Sequence, residues 1–123
     1  MSLSIDSPLV MALIDETDVD RLEFGVIGFD ASGYVRVYNR AESVAAGLSA
    51  ERVLGQHVFE SLAPCMNNEL AALRFENASR DETKLDAVID YVLTLRMRPT
   101  PVRMRLLQAP GRRYRYILIE RTA

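Results

Sequence analysis

The chain has 123 residues, with 15 basic and 17 acidic side chains, one His, one Cys and no Trp, and 49% of it is hydrophobic. That length suits one domain with its own core. A lone Cys excludes an intrachain disulfide framework and a thiolate zinc cluster, and no apolar run reaches the roughly 18 residues of a membrane span. A net charge of −2 exerts no general pull on nucleic acid or anionic lipid, and no basic stretch precedes Leu9–Ile14 as in a signal peptide. The expectation is a cytoplasmic, single-domain protein.

Residues 8–21 read as a short helical segment with Leu9, Leu13 and Ile14 on one side. Leu22–Phe29 is apolar enough for a strand, Asp30-Ala31-Ser32-Gly33 supplies turn chemistry, and Tyr34–Tyr38 reads as the second strand of a hairpin. An Ala-rich stretch from Asn39 to Ala46 suits one or two helical turns stopped by Gly47. Ser49 reads as the N-cap of a short turn ending at Gly55, Gln56–Leu62 as another turn, and Pro64 breaks the pattern just before Cys65. Asn68 can cap a longer helix to about Ala78, with Leu70 and Leu73 inward.

From Leu85 to Met97 every odd position is apolar, the period-2 signature of a long half-buried strand. Pro99-Thr100-Pro101 makes a turn, Val102, Met104 and Leu106 alternate with Arg103 and Arg105, and Pro110-Gly111 leads into a last strand over 113–121. The charge is uneven along this order. Residues 1–30 are acidic except for Arg21, whereas residues 91–123 are rich in arginine. Three arginine pairs, Arg96 with Arg98, Arg103 with Arg105 and Arg113 with Arg115, each lie two apart, so each pair shares a face of a regular strand. The expectation is a cationic band on the outer sheet face that receives residues 1–20 through Asp15–Asp20 and through Leu9, Leu13 and Ile14. No aromatic stacking motif accompanies the arginines, which argues against nucleic acid.

Few residues carry candidate chemistry. Cys65 is the sole thiol; a free Cys is usually a small buried hydrophobe, and the spacing from His57, the sole imidazole, matches no thiol-hydrolase signature. His57 reads as a helix-surface residue or, in a suitable pocket, a haem ligand. Tyr38 and Glu42 lie four apart and can point to one side of a helix start. In an apolar pocket both can donate hydrogen bonds, since desolvation keeps a carboxyl protonated; otherwise Tyr38 is core and Glu42 is exposed.

The element order, a hairpin, several short helices, one longer helix and a three-stranded meander, resembles that of a PAS domain. The stretches Leu22–Ile27 with Asp30 and Gly33, Tyr38-Asn39-Arg40-Ala41-Glu42, Val53-Leu54-Gly55, Phe59, Ala63-Pro64-Cys65 and Met97-Arg98-Pro99-Thr100 resemble the photoactive yellow protein family from about Leu22 to Arg121. The resemblance implies an α+β fold: a five-stranded antiparallel sheet with short helices on one side, residues 22–123 forming the PAS domain and 1–21 a helical cap.

It also implies a non-enzymatic blue-light receptor. Cys65 would carry 4-hydroxycinnamic (p-coumaric) acid as a thioester, Tyr38 and Glu42 would bind its phenolate oxygen, and Ala46, Leu48, Phe59 and Leu95 would line the pocket. Protein from a heterologous host can lack the group. Three of these lining residues depart from the family: Ala46 replaces a threonine that supports the tyrosine, Leu48 an arginine and Leu95 a tyrosine. Leu48 and Leu95 predict a drier pocket whose anion has no nearby cation. The implied partner is an unidentified downstream signalling protein, with the chain a monomer or weak dimer. The other reading is a chromophore-free PAS module that binds a protein or another small ligand.

Overall fold

A computed structural model of the chain describes residues 4–94 and 99–121. Five strands, β1 (Gly25–Phe29), β2 (Val35–Tyr38), β3 (Leu85–Leu93), β4 (Thr100–Gln108) and β5 (Arg115–Arg121), form one antiparallel sheet in the order β2-β1-β5-β4-β3. Four helices, α1 (Val10–Glu16), α2 (Arg40–Ala46), α3 (Ala50–Val53) and α4 (Ala72–Asp81), accompany it. The expected five-stranded α+β architecture is present, and β3 follows the predicted period-2 pattern, with odd positions towards the core.

The hairpin β1–β2 closes as its turn residues predict. Asp30 Oδ1 accepts from the Ser32 and Tyr34 amides at 3.0 Å each, and Gly33 takes φ of 91°, where a side chain is strained. Strand β1 is buried along its whole length because both of its faces are covered. Ile27 and Phe29 join Val102, Met104, Leu106, Ile117 and Ile119 in the inner core under the short helices. Val26 faces the other way, with Leu107, Tyr116 and Leu118.

That second face is where the N-terminal segment docks. Ile5, Val10 and Ile14 are buried against Phe24, Leu107, Tyr116 and Leu118. Seven residues are too few for α1 to hold helical shape alone, so its order comes from this packing, at about 1.5–3 kcal/mol for each fully buried aliphatic side chain. Arg105 donates to the Ile5 and Ser7 carbonyls, Arg103 to Asp6 and Arg112 to Asp15.

Several local expectations are corrected. Leu9 is 64% exposed, and Val10 takes the buried place beside Ile14. Helix α4 starts at Ala72, so Ala71, Phe75 and Ala78 face inward while Leu70 and Leu73 are exposed. Of the three arginine pairs, Arg103 and Arg105 share the outer face. Arg113 precedes β5 and lies over the Tyr114 ring, and Arg115 shares the inner-facing parity of Ile117 and Ile119. Arg96 and Arg98 lie outside the described residues. The counter-charges are Asp6 and Asp15; Asp18 instead accepts from the Asp20 amide, and Asp20 from the Arg40 amide.

Candidate functional site

Tyr38 ends β2, and α2 begins two residues later. Asn39 makes that junction rigid. It is fully buried, and its Oδ1 accepts from the Glu42 amide at 3.1 Å and the Val26 amide at 2.9 Å. Its Nδ2 donates to the Val19 and Phe24 carbonyls at 2.9 Å each. The spacing Asn39-x-x-Glu42 is that of a capping box, in which the acid folds back onto the cap amide. Here the Asn39 amide already donates to the Val26 carbonyl at 3.1 Å, leaving the Glu42 carboxylate free to reach elsewhere.

It reaches Arg121. The guanidinium at the end of β5 binds both Glu42 oxygens, Nη1 to Oε1 at 2.7 Å and Nη2 to Oε2 at 3.0 Å, and Glu42 is only 1% exposed. Gly25 makes this possible, because a Cβ there would collide with Glu42 Oε1. The expectation that no cation stands near this site is therefore corrected. Leu48 removes one positive charge, and Arg121 brings another from 79 positions away. The same ion pair holds Arg121 further into its charged form.

Tyr38 lies beside this pair. Its hydroxyl is buried without a hydrogen-bond partner. Burial, reinforced by the Glu42 carboxylate and opposed by Arg121, pushes the phenol well above its ordinary range. An orphaned buried hydroxyl is costly, and such atoms concentrate at functional sites.

Cys65 sits in a tight turn, Pro64–Met66, with Pro64 at its first position. Cys65 is half-buried and packs against the inner core that includes Tyr38, Phe59, Tyr91 and Leu93. The turn is tied to β3 by its backbone: the Cys65 carbonyl accepts from the Tyr91 hydroxyl and, at 3.0 Å, from Asn68 Nδ2. Among the expected lining residues, Phe59 packs edge-on against Phe29 with centroids 5.5 Å apart. Leu48 is half-buried against the same core, Ala46 is buried on α2, and Leu95 lies outside the described residues. His57 has a structural role: its Nδ1 accepts from the Phe59 and Glu60 amides at 3.3 and 3.2 Å and caps the π-type turn Val58–Leu62.

Reading the sequence therefore missed Arg121, Tyr91 and Asn68. The capping-box spacing was the signal for Asn39, but nothing local marks Arg121, whose place depends on strand order. The residues present fit a ligand with an anionic oxygen. Tyr38 has an unused hydroxyl, the Glu42 carboxyl lies beside it, and a thiol borders the same core.

No family model matches the chain. It is 33% identical over 99 residues to photoactive yellow protein from Rhodothalassium salexigens, covering 80% of this chain and 78% of that protein. The photoactive yellow protein domain of the sensor histidine kinase Ppr from Rhodospirillum centenum superposes with a TM-score of 0.81 at 33% identity, covering 89% of this chain and 98% of that domain. A more distant likeness, to the PAS domain of the Cronobacter turicensis RpfR quorum-sensing receptor, has a TM-score of 0.60 at 16% identity, covers 86% of this chain and 100% of that one, and concerns the fold alone. With a PAS fold and a third of its residues shared across most of its length, the chain belongs to the photoactive yellow protein family.

Proposed function

We propose that this chain is a blue-light receptor that carries 4-hydroxycinnamate as a thioester on Cys65. The observation that carries the reading is the Tyr38 hydroxyl, buried, unpartnered and adjacent to Glu42 in the core that Cys65 borders. When bound, the group supplies visible absorption and a double bond that light can isomerise. Cys65 Sγ is the acyl acceptor, displacing the leaving group of an activated cinnamate. Tyr38 Oη would donate to the phenolate oxygen, using the hydrogen bond it otherwise lacks. Glu42, as the neutral acid, would hold the same oxygen and supply its proton. Phe59, Leu48 and Ala46 exclude water, so these hydrogen bonds act in a low dielectric. Residues 1–21 act as a cap on the PAS domain of residues 22–123, and the output is a change in how the cap is held, read by a signalling partner. One relative is a domain of a sensor histidine kinase; a partner of that general kind suits a domain with no turnover of its own.

Incubation with activated 4-hydroxycinnamate followed by intact-mass measurement and an absorption spectrum is the test. The native chain should gain one cinnamoyl group and a visible band, and Cys65→Ser should gain neither. An unchanged native mass would point to a chromophore-free PAS module instead.

A further inference from the structure

Arg121 has no part in binding the phenolate oxygen in the reading above, yet it makes the most completely buried two-pronged ion pair among the described residues. Its partner is inaccessible at 1%, while the guanidinium keeps 23% of its side-chain surface. Arg121 also lines a cleft of about 320 Å³, together with Glu23, Gly25, Ala45 and Glu120. A buried carboxylate is stable only beside a cation or when protonated. Glu42 thus has two competing places for its carboxyl: a ligand oxygen beside Tyr38, reached as the neutral acid, or Arg121, reached as the anion.

We propose that Arg121 is the positioning residue that receives Glu42 whenever Glu42 has lost its proton. It holds the carboxylate in the unloaded chain and, resting on the photoreceptor reading, in the light-activated one. The proton that leaves Glu42 goes to the phenolate oxygen and returns on dark recovery, so the pair prolongs the activated state by stabilising the deprotonated acid. The pair also lies next to the cap. Glu120, on the opposite face of β5, accepts from the Ile5 amide at 3.4 Å and from Arg103 at 3.2 Å, and Arg103 holds Asp6. A pull on Arg121 by a new carboxylate is therefore applied one residue from the anchor of the N-terminal segment.

The first arm of the test needs no ligand. In infrared spectra of the unloaded chain at neutral pH, subtracting Glu42→Gln from the native protein should reveal a carboxylate and no protonated-carboxyl band. The same subtraction in Arg121→Gln should reveal the protonated band, and Arg121→Lys should restore the native pattern. A protonated Glu42 in the native chain, or a carboxylate in Arg121→Gln, overturns the proposal. If Arg121→Gln does not fold, the native spectrum and the Lys variant decide it. In the second arm, loaded Arg121→Gln should recover in the dark at least ten-fold faster than native protein, and equal rates overturn the role in the activated state. Failure of the native chain to load counts against the photoreceptor reading alone, because the infrared arm still decides whether Arg121 holds Glu42.

Discussion

The Arg105 guanidinium donates to the Ile5 carbonyl at 2.7 Å and so joins residues 100 positions apart. The same nitrogen donates to the Ser7 carbonyl at 2.7 Å, while Nε and Nη2 bind the two Asp86 oxygens at 2.8 and 2.9 Å. Every arm of this buried side chain is engaged. Apolar contacts press the N-terminal segment onto the sheet, and Arg105 fixes where it lands.

Arg105→Met retains the aliphatic stem but strands two carbonyls and Asp86, at a cost of about 2–3 kcal/mol. Hydrogen exchange should rise in residues 8–20 and hardly change in β1 and β5; equal protection in both proteins would show that packing alone holds the segment. Acid should act in the same direction. The Arg105 hydrogen bond holds the Asp86 carboxyl below the usual aspartate range, and Arg103 does the same for Asp6. A folded value below the unfolded one means stability that is present above about pH 4 and is lost as pH falls further. Urea titrations should show that loss in native protein and a shallower one in Asp86→Asn.

Asn39 is the second anchor. Asn39→Ala removes four hydrogen bonds, one of them the α2 cap, and should cost about 2–4 kcal/mol in chemical denaturation. Asn39→Asp should be no better, since a carboxylate would face the Val19 and Phe24 carbonyls that the amide now satisfies. A near-native aspartate variant would mean that the two donated bonds contribute nothing.

Tyr38→Phe should behave unlike most core polar deletions. With its hydroxyl unpartnered, the unloaded variant should be as stable as native protein or up to about 1 kcal/mol more stable. Burial raises the Tyr38 phenol above its unfolded value of about 10, so its contribution is complete below that pH and is lost as pH rises. Tyr38→Phe should therefore flatten the alkaline loss of stability in thermal melts, with a residual slope from Tyr116, which burial shifts the same way. A clear destabilisation near neutral pH would show that the hydroxyl has a partner in solution.

Features set by near neighbours were legible from the residues alone. The hairpin turn at Asp30–Gly33, the stop of α2 at Gly47 and the inward odd positions of β3 follow from backbone preference and side-chain alternation over a few residues. Tyr38, Glu42 and Cys65 could also be singled out, because their spacing and residue types resemble a known pattern. Helix faces were harder. Leu9, Leu70 and Leu73 have the hydrophobicity of core residues, but which face is covered depends on where a helix begins and what lies against it.

Partners distant in sequence were decided only by the fold. The sheet order puts β5 between β1 and β4, which brings Arg121 under α2 and turns a glutamate read as a candidate hydrogen-bond donor into half of a buried ion pair. The same order sorts the arginines: Arg103 and Arg105 meet the N-terminal segment on the outer face, while Arg115 faces inward. Alternation along a strand determines which residues share a face, but the identity of the covering layer is a property of strands brought together across the whole chain. A sequence window of a few residues carries no record of it.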